Sequence, residues 1–101
     1  MLNAKQRARL KAIASTEDTI LQIGKGGIND NLIIQVKDAL KAREIIKISV
    51  LDNCMQSAKE LAHPIADFTE SEVVQVIGSK IVLYKPNKKK PVISLEIKKI
   101  K

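Results

Sequence analysis

Between Thr19 and Leu51 the sequence reads strand, helix, strand, and this succession constrains the fold more than any other feature of the chain. Thr19-Ile20-Leu21-Gln22-Ile23 is short, apolar and followed by glycine, the pattern of a buried strand. A helix is expected from about Asn29, a good N-cap, with Ile28 placed to staple against Ile33. Leu32, Ile33, Val36, Ala39 and Leu40 then share its inward face. From Glu44 to Leu51, Ile46, Ile48 and Val50 alternate with Lys47 and Ser49, and the continuous apolar start at Ile45-Ile46 marks a central position. Two strands joined through a helix must lie parallel, with the helix packed back on the sheet.

The flanking segments complete the scaffold. Residues 3–15 predict a helix whose stripe of Leu2, Gln6, Leu10, Ile13 and Ala14 packs inward. A third helix is expected over about residues 53–68, with Ala58, Leu61, Ala62, Ile65 and Ala66 inward and Phe68 in the core. Pro64 falls inside it and should kink or split it, because proline lacks the N–H and crowds the preceding turn. Val73-Val74-Gln75-Val76-Ile77 and Ile81-Val82-Leu83-Tyr84 flank Gly78-Ser79, a strong hairpin signal. Pro86 ends the last strand, and Val92 to Ile97 has enough alternation for an edge strand. The expected fold is therefore α/β, a single domain ordered α-β-α-β-α-β-β around a mixed four-stranded sheet. Residues 1–90 form the domain and 91–101 a basic tail.

Composition narrows the function. The chain of 101 residues is 45% hydrophobic, enough for one core, and no apolar run approaches the ~18 residues of a membrane span. The N-terminus turns basic at once, without the apolar centre of a signal peptide. One cysteine, Cys54, allows no internal disulfide, so a cytoplasmic setting is expected. The net charge of +7 is unevenly placed. Residues 1–15 carry Lys5, Arg7, Arg9 and Lys11 with no acid, and residues 80–101 carry eight lysines against Glu96. Residues 51–72 carry Lys59 against Asp52, Glu60, Asp67, Glu70 and Glu72. Such segregation favours a polyanion-binding face with an acidic back.

The junction Ile23-Gly24-Lys25-Gly26-Gly27-Ile28 is the most informative site. Glycines let backbone amides approach a phosphate closely, and the following helix presents unpaired N–H groups with its positive dipole end. Lys25 adds a mobile charge at the tip, and a Gly-x-x-Gly loop of this kind can clamp a nucleic-acid backbone. A strand-to-helix turn would also use glycine for purely structural reasons, and Asp30 at the helix start opposes a phosphate. The spacing fits neither a P-loop nor a dinucleotide-binding fingerprint, since Asn29 stands where the latter needs glycine. One histidine and one cysteine make no metal cluster of the usual spacing. Cys54 and His63, nine residues apart, would lie on opposite faces of an ideal helix. No cofactor, small-molecule substrate or catalytic couple is expected. Phe68 and Tyr84 are the only aromatic residues, too few for base stacking, so backbone and shape of structured RNA are the expected target.

Together, Lys5-Gln6-Arg7, Gln22-Ile23-Gly24-Lys25-Gly26-Gly27-Ile28, Glu44-Ile45-Ile46-Lys47, Val74-Gln75-Val76-Ile77-Gly78 and Val82-Leu83-Tyr84-Lys85-Pro86 resemble the bacterial YhbY family of stand-alone CRM domains (chloroplast RNA splicing and ribosome maturation). The resemblance covers about residues 2–90. It implies a fold similar to the C-terminal domain of translation initiation factor three and association with the precursor of the large ribosomal subunit. It places the family's loop on Gly24, Lys25, Gly26 and Gly27 and its basic first helix on Lys5, Arg7, Arg9 and Lys11. Two departures stand out: Pro64 interrupts a usually continuous helix, and Thr69-Glu70-Ser71 replaces a glycine-containing turn. The expectation is one RNA-binding surface made of the loop, the second helix's N-terminus and the two basic rows that flank the first helix's inward stripe, Lys5 with Arg9 and Arg7 with Lys11. Lys88, Lys89 and Lys90 either extend that surface or form a solubilising tail. The alternative reading is a module that docks on an acidic ribosome-associated protein.

Overall fold

Strand β1 (Leu21–Ile23) pairs in parallel with β2 (Ile45–Val50) through helix α2 (Asp30–Arg43), as the central succession requires. The hairpin of β3 (Glu72–Ile77) and β4 (Lys80–Tyr84) adds the antiparallel strands, giving the order β1-β2-β4-β3. Helix α1 (Ala4–Ser15) precedes the sheet, α3 (Ala58–Thr69) links β2 to β3, and a short α4 (Ile93–Lys98) closes the chain. This computed structural model describes residues 2–87, 89, 91 and 93–100. The α/β class and the mixed four-stranded sheet are those expected.

The sheet is covered on both faces. Ile46, Ile48 and Val50 of β2 meet Leu32, Val36 and Leu40 of α2 and Leu61, Ala62 and Ile65 of α3. On the other face Leu10 and Ala14 of α1 pack with Ile45, Val74, Val82, Tyr84 and Ile97. Leu10, Ile48, Leu61 and Ile81 are fully buried; truncating such side chains typically costs about 2–5 kcal/mol. The alternation of β2 therefore has a third layer beneath it. Lys47 and Ser49 share the α1 side of the sheet with Ile45.

Sequence signals set the ends of the elements. Asn3 caps α1 and Ser57 caps α3, each in a reciprocal box with Gln6 or Glu60. Helix α3 thus starts at Ala58 rather than near residue 53, and residues 51–57 form turns. It runs unbroken through Pro64, which sits on the solvent face, so the carbonyl left without its N–H partner is on the wet side. Phe68 is 60% exposed rather than buried, because α3 turns Ile65, Ala66 and Thr69 inward and leaves it on the outer surface.

The C-terminal segment is helical where an edge strand was expected over Val92–Ile97; Val92 itself lies outside the described residues. Ile93, Ile97 and Ile100 recur at helical spacing and pack against the α1 side of the core. The buried carboxylate of Glu44 anchors this segment, accepting the amides of Asn87 at 2.7 Å and Ile93 at 2.8 Å. Tyr84 lies beneath it, its phenol held above its usual pKa by burial and by the nearby Glu44 charge.

At the end of α3, Glu70 adopts φ 53°, and the amide of Ser71 reaches the carbonyl of Ala66 at 2.9 Å. This is the left-handed helix cap that glycine favours, held here by glutamate. Replacing it should relieve the strain. Glu70→Gly is expected to raise unfolding stability by about 1 kcal/mol in urea titrations, without altering the fold.

Candidate nucleic-acid interface

The glycine loop crosses from the end of β1 to the start of α2. The amide of Gly27 donates to the carbonyl of Gly24 at 3.0 Å, closing a tight turn with Lys25 and Gly26 at its tip. Both tip residues are exposed, and their amides donate to no described residue. Gly27 has φ +60°, which a side chain would strain. Asn29 caps α2 by accepting the amide of Leu32 at 2.8 Å, leaving the first helical amides pointing outward. A cleft of about 250 Å³ lies beside the loop, lined by Gln22, Gly24, Gly26, Asn29, Asn31 and Gln35 among others. Its side chains are uncharged; Asp30, exposed at the helix start, is the nearest acid in sequence.

The loop continues onto the α1 side of the sheet. Gln22 is paired with Ser49, and Ser49 with Lys80, so one row crosses three strands from the loop to the hairpin. At the usual strand spacing that row spans about 10 Å. Lys80 donates to the Ser49 hydroxyl at 3.0 Å, which fixes its ammonium above the sheet. Lys47 stands one step along β2, opposite Val82. Lys11 and Ser15 of α1 close the far side of a second cleft, about 260 Å³, with Lys47, Gln75, Ile77 and Lys80. Three lysines therefore line a groove that leads from the hairpin toward the glycine loop.

Comparison with known proteins decides the family. Residues 2–85 match the CRS1 / YhbY (CRM) domain. The chain belongs to the CRM family. It is 45% identical over 95 residues to the "Probable RNA-binding protein YqeI" of Bacillus subtilis, covering 94% of this chain and 99% of that one. An RNA-binding protein of Haemophilus influenzae is 28% identical over 86 residues, covering 85% of this chain and 87% of that one. A solution structure of a Staphylococcus aureus protein, described as "a putative RNA binding protein", is 51% identical with a TM-score of 0.74. That match covers 87% of this chain and 92% of the other.

In this CRM domain the cations expected from sequence do not all gather at the loop. Helices α1 and α2 lie on opposite faces of the sheet, so the first helix reaches the loop only around the open end of the strands. Arg7 is turned inward, its guanidinium donating to the carbonyls of Val73 and Val74. Arg9 pairs with Glu96 of α4 at 2.8 Å. Both arginines tie helix to scaffold. Lys5 and Lys11 are exposed, and only Lys11 lines the groove that leads toward the loop. Lys89 sits beyond β4, at the opposite end of the sheet from the loop, and so does not extend the loop's surface. Lys88 and Lys90 lie outside the described residues. In exchange, Lys47 and Lys80 line the groove; in the sequence Lys47 is the polar half of a strand's alternation and Lys80 one of the eight lysines after residue 79.

The loop glycines carry separable roles. A Cβ on Gly24 would meet Asn53 Oδ1 at 3.6 Å and Leu51 Cδ1 at 3.7 Å, ordinary contacts. Gly27→Ala is expected to cost about 1 kcal/mol of stability through its positive φ, and Gly24→Ala less than about 0.5 kcal/mol. Urea unfolding of the two variants side by side checks this.

Proposed function

We propose that this protein grips the phosphate backbone of structured RNA, with precursor ribosomal RNA of the large subunit as its target. It acts in the cytoplasm, without catalysis, during ribosome assembly. The reading rests chiefly on one observation: an exposed loop with two undonated amides opens onto a sheet row ending in Lys80, with Lys25, Lys47 and Lys11 around it. Amides offer fixed donors to phosphate oxygens, and the lysines supply positive charge beside them. The names of the relatives, RNA-binding proteins of two bacteria, support the same class of partner. Base stacking has little part in it. Tyr84 is buried, and Phe68 lies on α3, across the sheet from the lysine groove.

The proposal fixes how binding responds to substitution. Lys25→Ala, Lys47→Ala and Lys80→Ala combined should weaken binding of a ribosomal RNA hairpin by a similar factor whatever its sequence. The dependence of log K on log salt should flatten by about one per lysine removed. Arg9→Ala should leave that slope nearly unchanged, because Glu96 already occupies the guanidinium. A triple variant with the affinity and slope of the parent contradicts the surface. Crosslinking in cells tests the target: reads concentrated on precursor large-subunit RNA agree with the proposal, and reads confined to other RNAs contradict it.

A further inference from the structure

A further cleft lies at the other end of the molecule. It measures about 650 Å³ and is bordered by Lys37 and Lys41 of α2, Lys85 and Asn87 after β4, Lys89 and Glu70. The loop stands at the start of α2 and this cleft at its last turns. Lys37 and Lys41 follow Asp30 by 7 and 11 residues, and the helix rise of about 1.5 Å per residue puts roughly 10–17 Å between the two sites. Exposed Asp30, Ile34 and Asp38 occupy the intervening stretch of α2, which does not carry a phosphate track from one to the other.

Part of this cluster has a structural explanation. Lys85 donates to the carbonyl of Thr69 at 3.3 Å, and Lys41 suits the negative end of the α2 dipole. Lys37 and Lys89 have no such role. The ammoniums of Lys37, Lys41 and Lys89 make no hydrogen bond or ion pair among the described residues, although Glu70 borders the same cleft. The Glu44 carboxylate behind Asn87 is taken up by the amides of Asn87 and Ile93. Four lysines against one bordering carboxylate leave a concave, positively charged seat of a size suited to several phosphate-bearing groups.

We propose that Lys37, Lys41, Lys85 and Lys89 form a second phosphate seat, separate from the glycine loop, so that one protein molecule holds two RNA segments at once. This rests on the reading that the chain binds RNA and adds that it bridges. Two seats at opposite ends of a rigid sheet would bring distant parts of a folding RNA within roughly 10–17 Å of each other.

The experiment uses the full chain and a short RNA hairpin carrying either a donor or an acceptor dye. Calorimetry should give two hairpins per protein, and mixing both labelled hairpins with protein should produce energy transfer. Lys37→Ala with Lys41→Ala changes two exposed helix positions to a good helix former, so the fold should persist, as circular dichroism checks. That variant should keep the first binding event, lose the second by at least about tenfold, and abolish the transfer. Lys25→Ala should weaken the first event and spare the second. One hairpin per protein, unaffected by Lys37→Ala with Lys41→Ala, overturns the second seat while leaving the loop surface standing. Absence of any hairpin binding overturns both. Inorganic phosphate and a mononucleotide serve as a separate arm. If either saturates the Lys37 and Lys41 amide shifts while hairpin stoichiometry stays at one, the seat belongs to a small phosphorylated ligand, and bridging is overturned.

Discussion

The parallel pairing of β1 with β2 is the constraint on which the rest of the structure depends. It needs a crossover helix, and that helix must begin where β1 ends. The turn between them therefore lies at an open end of the sheet, with its amides facing out. β2 is held rigidly because both of its faces are buried, Ile46, Ile48 and Val50 on one side and Ile45 on the other. The loop leaves β1, which is paired along its whole length with that strand, so its donors are presented in a fixed arrangement and ordering them on contact with a phosphate costs little.

The same pairing explains why lysines that are distant in sequence gather beside the loop. Register, not sequence proximity, brings Gln22, Ser49 and Lys80 into one row. α1 roofs the part of that face near Val74 and Tyr84, while Lys47 and Lys80 remain at the rim of the groove it leaves. Arg7 and Arg9, which look like natural phosphate ligands on a helical wheel, are instead spent on backbone carbonyls and on Glu96. Arginine's planar fork suits such anchoring, and the ammoniums of the groove lysines, none of them ion-paired among the described residues, are left for a polyanion.

Most of the architecture was legible because periodicity and turn chemistry agreed. The strand–helix–strand core, the Gly78-Ser79 hairpin and the glycine junction each carry a local signal strong enough to stand alone. The misplacements have physical causes. Apolar periodicity alone starts α3 near residue 53, whereas the capping box of Ser57 and Glu60 marks its true N-terminus. Hydrophobicity alone puts Phe68 in the core, yet its position on α3 faces outward. The terminal isoleucines fit a strand's alternation loosely and a helix's spacing better, and only the anchoring carboxylate of Glu44 decides between them. Membership of a row across strands is a tertiary property. No local pattern in the sequence could pair Lys47 and Lys80 with the loop before the register of the sheet was known.

In the proposed mode of binding, the loop amides and the adjoining lysine row contact RNA directly. The most direct measurement is an amide NMR titration of the protein with a ribosomal RNA hairpin at moderate salt. The largest shifts are predicted at Lys25, Gly26, Asp30 and Ser49, with the outer face of α3 around His63 and Asp67 unmoved. Shifts centred on α3, with the amides of Lys25 and Gly26 silent, would contradict it.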